Sequence, residues 1–165
     1  MAQTTLGNQV VHTNGDLPQP GSKAPSFSLA GNNLKNVSLE SFEGKNIILN
    51  IFPSIDTRVC ATSVREFNKR AAALPDTVVL CVSKDLPFAM RRFCGAEGIE
   101  NVITLSDFRT GEFARSYGVE LVDGAFTGLM ARAICVLDKK GVIKYNEMVS
   151  SIDHEPDYDA ALKSL

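Results

Sequence analysis

A chain of 165 residues, 44% of them apolar, can build a full hydrophobic core without a structural metal or disulfide staples. Its 17 basic and 19 acidic residues give a net charge of −2 with no long run of one sign. This excludes the basic stripe of a nucleic-acid binder. No apolar run approaches the roughly 20 residues that a membrane span needs, and residues 1–21 lack the basic-then-apolar order of a secretory leader, so a cytoplasmic location is expected.

The elements read as mixed α/β along one domain over residues 1–165, with an N-terminal hairpin in 1–14. Residues 4–12 give two short strands around Gly7-Asn8, a hairpin signal. Pro18, Pro20, Gly21 and Pro25 make 16–25 a loop. Residues 26–29 alternate polar and apolar as a short strand does, and 37–42 read as a small strand followed by a helical turn. NIILNIF at 46–52 and TVVLCV at 77–82 are near-continuous apolar runs, as strands covered on both faces require; 102–105 is a shorter candidate. Residues 131–137 and 142–148 flank Asp138-Lys139-Lys140-Gly141, a hairpin turn. Helices are expected over 59–74, 87–94, 111–117 and 157–165. Strand–helix alternation implies parallel pairing and the late hairpin an antiparallel edge, giving a mixed central sheet flanked by helices.

The four cysteines lie at 60, 81, 94 and 135, with no C-x-x-C pair, and the only histidines are His12 and His154. This spacing does not suit zinc. Cys81 and Cys135 fall inside strands and read as core residues. Cys60 differs. Asp56 and Thr57 are good N-cap residues, so Cys60 falls in the first turn of the helix after NIILNIF, where unpaired N–H groups and the positive end of the helix dipole favour a thiolate. Cys60, Val64, Phe67, Ala71 and Leu74 share one apolar stripe, so Cys60 points toward the core. Burial alone disfavours the anion, so compensating donors are required. Position leaves two readings open: a reactive thiolate, or an inert core cysteine. Cys94 has a similar choice. It ends a short helix that starts at Pro87 and stops at Gly95.

Residues 53–60, PSIDTRVC, resemble the P-x-x-x-T-x-x-C signature of the peroxiredoxins. The fuller S-x-D-T-x-V-C-A string resembles their thiol peroxidase branch, the atypical 2-Cys peroxiredoxins. FCGAEG at 93–98, GLMARA at 128–133 and EPDYDAAL at 155–162 resemble further segments of that branch, so the likeness spans nearly the whole chain. The resemblance implies a thioredoxin-like fold and no bound cofactor or metal. It implies that Cys60 is the peroxidatic cysteine, attacking hydrogen peroxide or a small alkyl hydroperoxide to give a sulfenic acid. Cys94 is then the resolving cysteine, closing an intramolecular disulfide that thioredoxin reduces. Thr57 orients thiolate and peroxide, Arg132 supplies charge and donors, and Pro53 shields the sulfur. A homodimer is likewise implied. From the residues alone, Thr57 could be a cap, Arg132 a surface-facing strand residue, Pro53 a strand terminator and Cys94 an apolar helix-end residue.

Arg58 departs from the small residue or proline expected at that position; its charge either acts on the Cys60 thiol or on peroxide access, or points into solvent with little effect, the reading favoured here, and substrate preference is left open. A general thiol–disulfide oxidoreductase on the same fold would carry C-x-x-C, which is absent here. A binding or redox-sensing module remains the other alternative. His12 and His154 give no catalytic signal.

Overall fold

The computed structural model describes residues 1–165. A two-stranded hairpin, β1 (Gln3–Leu6) and β2 (Gln9–His12), precedes a seven-stranded sheet. The sheet strands are β3 (Ser28–Ala30), β4 (Asn36–Ser38), β5 (Asn46–Ile51), β6 (Thr77–Ser83), β7 (Ile103–Ser106), β8 (Ala133–Leu137) and β9 (Ile143–Met148), in the order β4-β3-β7-β6-β5-β8-β9. β5, β6 and β7 are parallel; β3, β4, β8 and β9 pair antiparallel at the two sides. The helices are α1 (Arg58–Ala71), α2 (Pro87–Glu97), α3 (Glu112–Ser116) and α4 (Tyr158–Lys163), with a 3-10 turn at Leu39–Phe42. The expected mixed sheet flanked by helices is what forms. No helix is long and apolar enough to cross a membrane.

Period-two alternation of the central strands divides the core. Ile47, Leu49 and Ile51 of β5 face a cluster that includes Phe27, Phe113 of α3 and Tyr117. Ile48 and the following Phe52 face the other cluster, which contains Cys60, Val64 and Phe67 of α1, Met90 of α2 and Ala161 of α4. The predicted stripe of α1 is therefore the face it buries. α4 packs behind it, with the Tyr158 ring 5.1 Å from Phe67 in an edge-on arrangement and Asp157 capping its first turn through Ala160 N–H.

Most boundaries shift by one or two residues from the sequence reading, and three of the shifts have a clear physical cause. α1 ends at Ala71 rather than residue 74, because Leu74 precedes Pro75 and is steered out of the helical region. α2 runs through Gly95 and ends at Gly98. Gly98 has φ 65°, a left-handed conformation in which Cβ is penalised, and both its N–H and that of Ile99 close onto the Cys94 carbonyl. Gly95 is an ordinary helical residue, yet Cys94 still lies in the last turn. β8 starts at Ala133 rather than residue 131, because Ala131 N–H is taken by the Val119 carbonyl outside the sheet.

Phe67 is wholly buried between α1, α4 and the sheet. Phe67→Ala should cost about 3–5 kcal/mol of stability through lost transfer energy and a residual cavity, read as a lowered urea midpoint.

Candidate active site

The chain leaves β5 through Phe52 and Pro53, both buried, and turns at residues 54–57 into α1. Thr57 is the N-cap by backbone conformation, but its side chain makes no capping bond. Its hydroxyl donates instead to the Ser54 carbonyl at 3.0 Å. Of the two cap candidates, Thr57 takes the N-cap position with its hydroxyl spent on the local turn, and Asp56 lies one residue ahead, exposed. Ala61 N–H makes the first intrahelical bond, to Thr57. The N–H groups of Arg58, Val59 and Cys60 are left without protein acceptors, and together they give this helix end its positive field.

Cys60 is 0% exposed. Its Sγ accepts a hydrogen bond from Arg132 Nη2 at 3.1 Å. Arg132 is itself 1% exposed. Its Nε donates to the Ile152 carbonyl at 2.9 Å, while Nη1 is buried with no partner. The surface-facing reading of Arg132 therefore does not hold. A buried guanidinium is costly unless a negative group offsets it, and the Cys60 sulfur is the group it touches. An unspent donor beside this sulfur can bind one more oxygen.

A cavity of about 240 Å³ reaches the Arg132 side of the pair, lined by Thr57, Arg58, Val59, Phe126, Arg132, Ile152 and Asp153. Arg58 is exposed at its mouth. Phe126, Ile152 and Asp153 were not singled out in the sequence, since they stand on loops with no periodicity to mark them. The N-terminal hairpin holds that last loop in place. Thr4 Oγ1 donates to the Val149 carbonyl at 2.8 Å, Thr5 N–H to Ser150 at 3.1 Å, and Ile152 N–H to Thr5 at 2.8 Å.

Two other groups escaped the sequence reading. Asn50, buried on the α1 side of β5, donates to Ser63 Oγ at 3.2 Å, and Ser63 donates to the Cys60 carbonyl at 2.8 Å. The sequence signal was a lone amide inside an apolar strand. Asp85, just beyond β6, receives hydrogen bonds from Ser54 and Ile55 of the turn before α1. His12 and Asp123 pair at 2.7 Å, away from the sulfur. Hydrogen bonds from His12 hold the Asp123 carboxyl below its ordinary range.

All four cysteines are free thiols. Burial pushes Cys81 and Cys135 up to about 12, so both stay protonated in the core. Cys94 is half-buried; burial also raises it, with a hydrogen bond from Thr104 pulling the other way. Its helix lies beside α1. Arg65 pairs with Glu97 and lies 5.5 Å from the centre of the Phe93 ring, and Asn68 Oδ1 accepts from Asn101 N–H at 2.7 Å.

The redoxin family pattern matches residues 19–162 of this sequence. The thiol peroxidase of Mycobacterium tuberculosis is 55% identical over 165 residues, covering 100% of this chain and 99% of the relative. The chain belongs to the redoxin family, on its thiol peroxidase branch. It is accordingly a peroxiredoxin-type oxidoreductase. Among redoxins of known structure, the peroxiredoxin-like protein from Aquifex aeolicus superposes with a TM-score of 0.93 at 33% identity, covering 99% of this chain and 96% of that one. The thiol peroxidase from Chromobacterium violaceum gives 0.91 at 25% identity, covering 99% and 95%. The expected thioredoxin-like fold with an added N-terminal hairpin is thus observed in this redoxin.

Replacing Arg132 by Met keeps length but removes the cation beside the sulfur. Arg132→Met should slow iodoacetamide alkylation of Cys60 at neutral pH by about tenfold or more, the scale of one hydrogen bond to a charged group. Cys81 and Cys135 should resist alkylation in the folded protein. Their raised values also set a pH dependence. The unfolded chain ionises near the ordinary 9.0 while the folded thiols hold their protons to about 12. Stability from these thiols is complete below 9.0 and is lost as pH rises through that window. Urea midpoints on either side of 9.0 should show the fall, and Cys135→Ala should reduce it.

Proposed function

We propose that the protein is a thiol peroxidase that reduces hydrogen peroxide and small alkyl hydroperoxides through Cys60. The carrying observation is the buried Cys60 sulfur at 3.1 Å from Arg132 Nη2, beside a cavity onto which the same guanidinium turns. The sulfur anion attacks the terminal peroxide oxygen and the O–O bond breaks. The leaving alkoxide or hydroxide takes up a proton, and Cys60 becomes a sulfenic acid. Negative charge moves from sulfur to the departing oxygen during this step. Donors already in place stabilise it without reorganisation. Arg132 Nη2 holds the sulfur, and Nη1 is free to donate to the peroxide. Thr57 has given its own proton to Ser54, so its hydroxyl oxygen is left to accept from the peroxide O–H. Pro53, buried ahead of the turn, keeps water from the sulfur and offers no N–H to compete for it.

Cys94 then attacks the Cys60 sulfenic sulfur, forming a disulfide and releasing water. Cys60 is fully buried at the start of α1 and Cys94 is half-buried in the last turn of α2; in this reading, as the resemblance implies, both helix ends unwind and the sulfurs meet. Helix ends are the cheapest segments to open. The disulfide is labile and is returned to dithiol by thioredoxin through thiol–disulfide exchange, as suits a cytoplasmic enzyme. A homodimer belongs to the same proposal and is checked by sedimentation.

Cys60→Ser should abolish peroxide reduction. Cys94→Ser should consume about one equivalent of peroxide and stop, because the sulfenic acid forms and is not resolved. After one equivalent, peptide mass spectrometry of the unaltered protein should give a Cys60–Cys94 link with Cys81 and Cys135 free. Sustained turnover of Cys94→Ser with thioredoxin would overturn the intramolecular route. Insulin reduction without peroxide would favour a general oxidoreductase instead.

A further inference from the structure

The turn that carries Cys60 into α1 is fastened from outside by one carboxylate. Asp85 Oδ1 accepts from Ser54 Oγ at 2.8 Å, and Oδ2 accepts from Ile55 N–H at 2.7 Å and from Ser83 Oγ at 2.6 Å. The Asp85 carbonyl accepts from Ser106 Oγ at 2.5 Å, which ties the same residue to the end of β7. Asp85 stands two positions before Pro87, the first residue of α2. One side chain therefore joins the turn before Cys60 to the entry of the helix that bears Cys94. The three bonds to the side chain run to a carboxylate, the stronger kind of acceptor.

We propose that Asp85 is a positioning residue, a latch whose release sets how fast Cys94 reaches oxidised Cys60. The inference rests on the reading that Cys60 is oxidised to sulfenic acid and resolved by Cys94. While the carboxylate holds Ser54 and Ile55, the turn stays closed and Cys60 stays in its helical turn, out of reach of Cys94. The sulfenic acid meanwhile has a second fate. Another peroxide can oxidise it to the sulfinic acid, transferring one oxygen to sulfur and leaving as alcohol or water. Attack by Cys94 instead forms the S–S bond and releases water. A tighter latch favours the sulfinic acid and a looser one the disulfide, because only the disulfide route needs the turn to open.

Asn at position 85 keeps the shape but replaces one acceptor oxygen with an NH2 donor, so it cannot satisfy both Ser54 Oγ and Ile55 N–H in the present arrangement. The test titrates peroxide against the reduced protein and reads, by intact and peptide mass, the fractions of Cys60 sulfinic acid and Cys60–Cys94 disulfide. In Asp85→Asn the peroxide concentration giving half sulfinic acid should rise about fivefold to tenfold, the scale of one lost charge-assisted hydrogen bond. Ser54→Ala, which removes one of the bonds to the carboxylate along with the local bond from Asp56 N–H and keeps the carboxylate, should move it in the same direction by less, and carries the test if Asp85→Asn does not fold. Asp138→Asn is the control. It disturbs the β8–β9 turn, where Asp138 Oδ1 accepts from Lys140 N–H at 2.8 Å and Val142 N–H at 3.0 Å, and should lower the urea midpoint without moving the partition. An unchanged partition in the latch variants, or an equal shift in Asp138→Asn, overturns the latch alone. An unaltered protein that forms neither product overturns the underlying reading and the latch with it.

Discussion

The contact between the Arg132 guanidinium and the Cys60 sulfur organises the rest of the molecule. Neither group is comfortable in the core alone. A cationic side chain 1% exposed and a sulfur 0% exposed both forgo water, a cost that their contact offsets. The fold brings them together from opposite directions: Cys60 from the start of α1, Arg132 from the segment leading into β8. β5 and β8 are hydrogen-bonded neighbours, with Ile51 opposite Ala133. The strand before Cys60 and the strand after Arg132 thus meet at one end of the sheet. Backbone pairing at that end fixes the separation of the two side chains, which is a more precise device than loops alone could supply.

Around this pair the supporting shell is polar where polarity controls position and apolar elsewhere. Asn50 and Ser63 hold the Cys60 carbonyl from below, and Ser54 and Ile55 are held from the side. Val64 and Phe67 continue the stripe into the core. The helix is therefore anchored by packing along its length and by hydrogen bonds at its first turn. Its three leading N–H groups are left free, where a more stable protein would cap them. This is a local concession of stability, of the kind that conflicts between stability and chemistry produce.

Much of this was legible in the residues. β5 and β6 were clear because their apolar runs are long, and the α1 stripe because its period is unbroken. The first-turn position of Cys60 followed from both. What was hidden depended on distant partners. Nothing near Arg132 in the sequence reveals that Ile152 and Cys60 will enclose it. A glycine three residues short of the true helix end looked like the stop, because only the backbone angle distinguishes Gly98 from Gly95. Asp85 sat in a loop where an acidic residue is commonplace, and its importance lies in the Ser54 hydroxyl and Ile55 N–H, which are 31 and 30 positions away. Local pattern reports burial and period; it does not report which remote donor a carboxylate will find.

The clasp between the N-terminal hairpin and the loop at 149–152 gives the molecule an order of assembly. The Thr4 hydroxyl bonds a carbonyl 145 positions later, and Ile152, held by Thr5, presents its own carbonyl to Arg132. During synthesis the cysteine emerges long before this clasp can close. Until the last strand and the loop beyond it leave the ribosome, the guanidinium lacks the Ile152 carbonyl that holds it against the sulfur. The Cys60–Arg132 contact is thus completed only after residue 152 has been made.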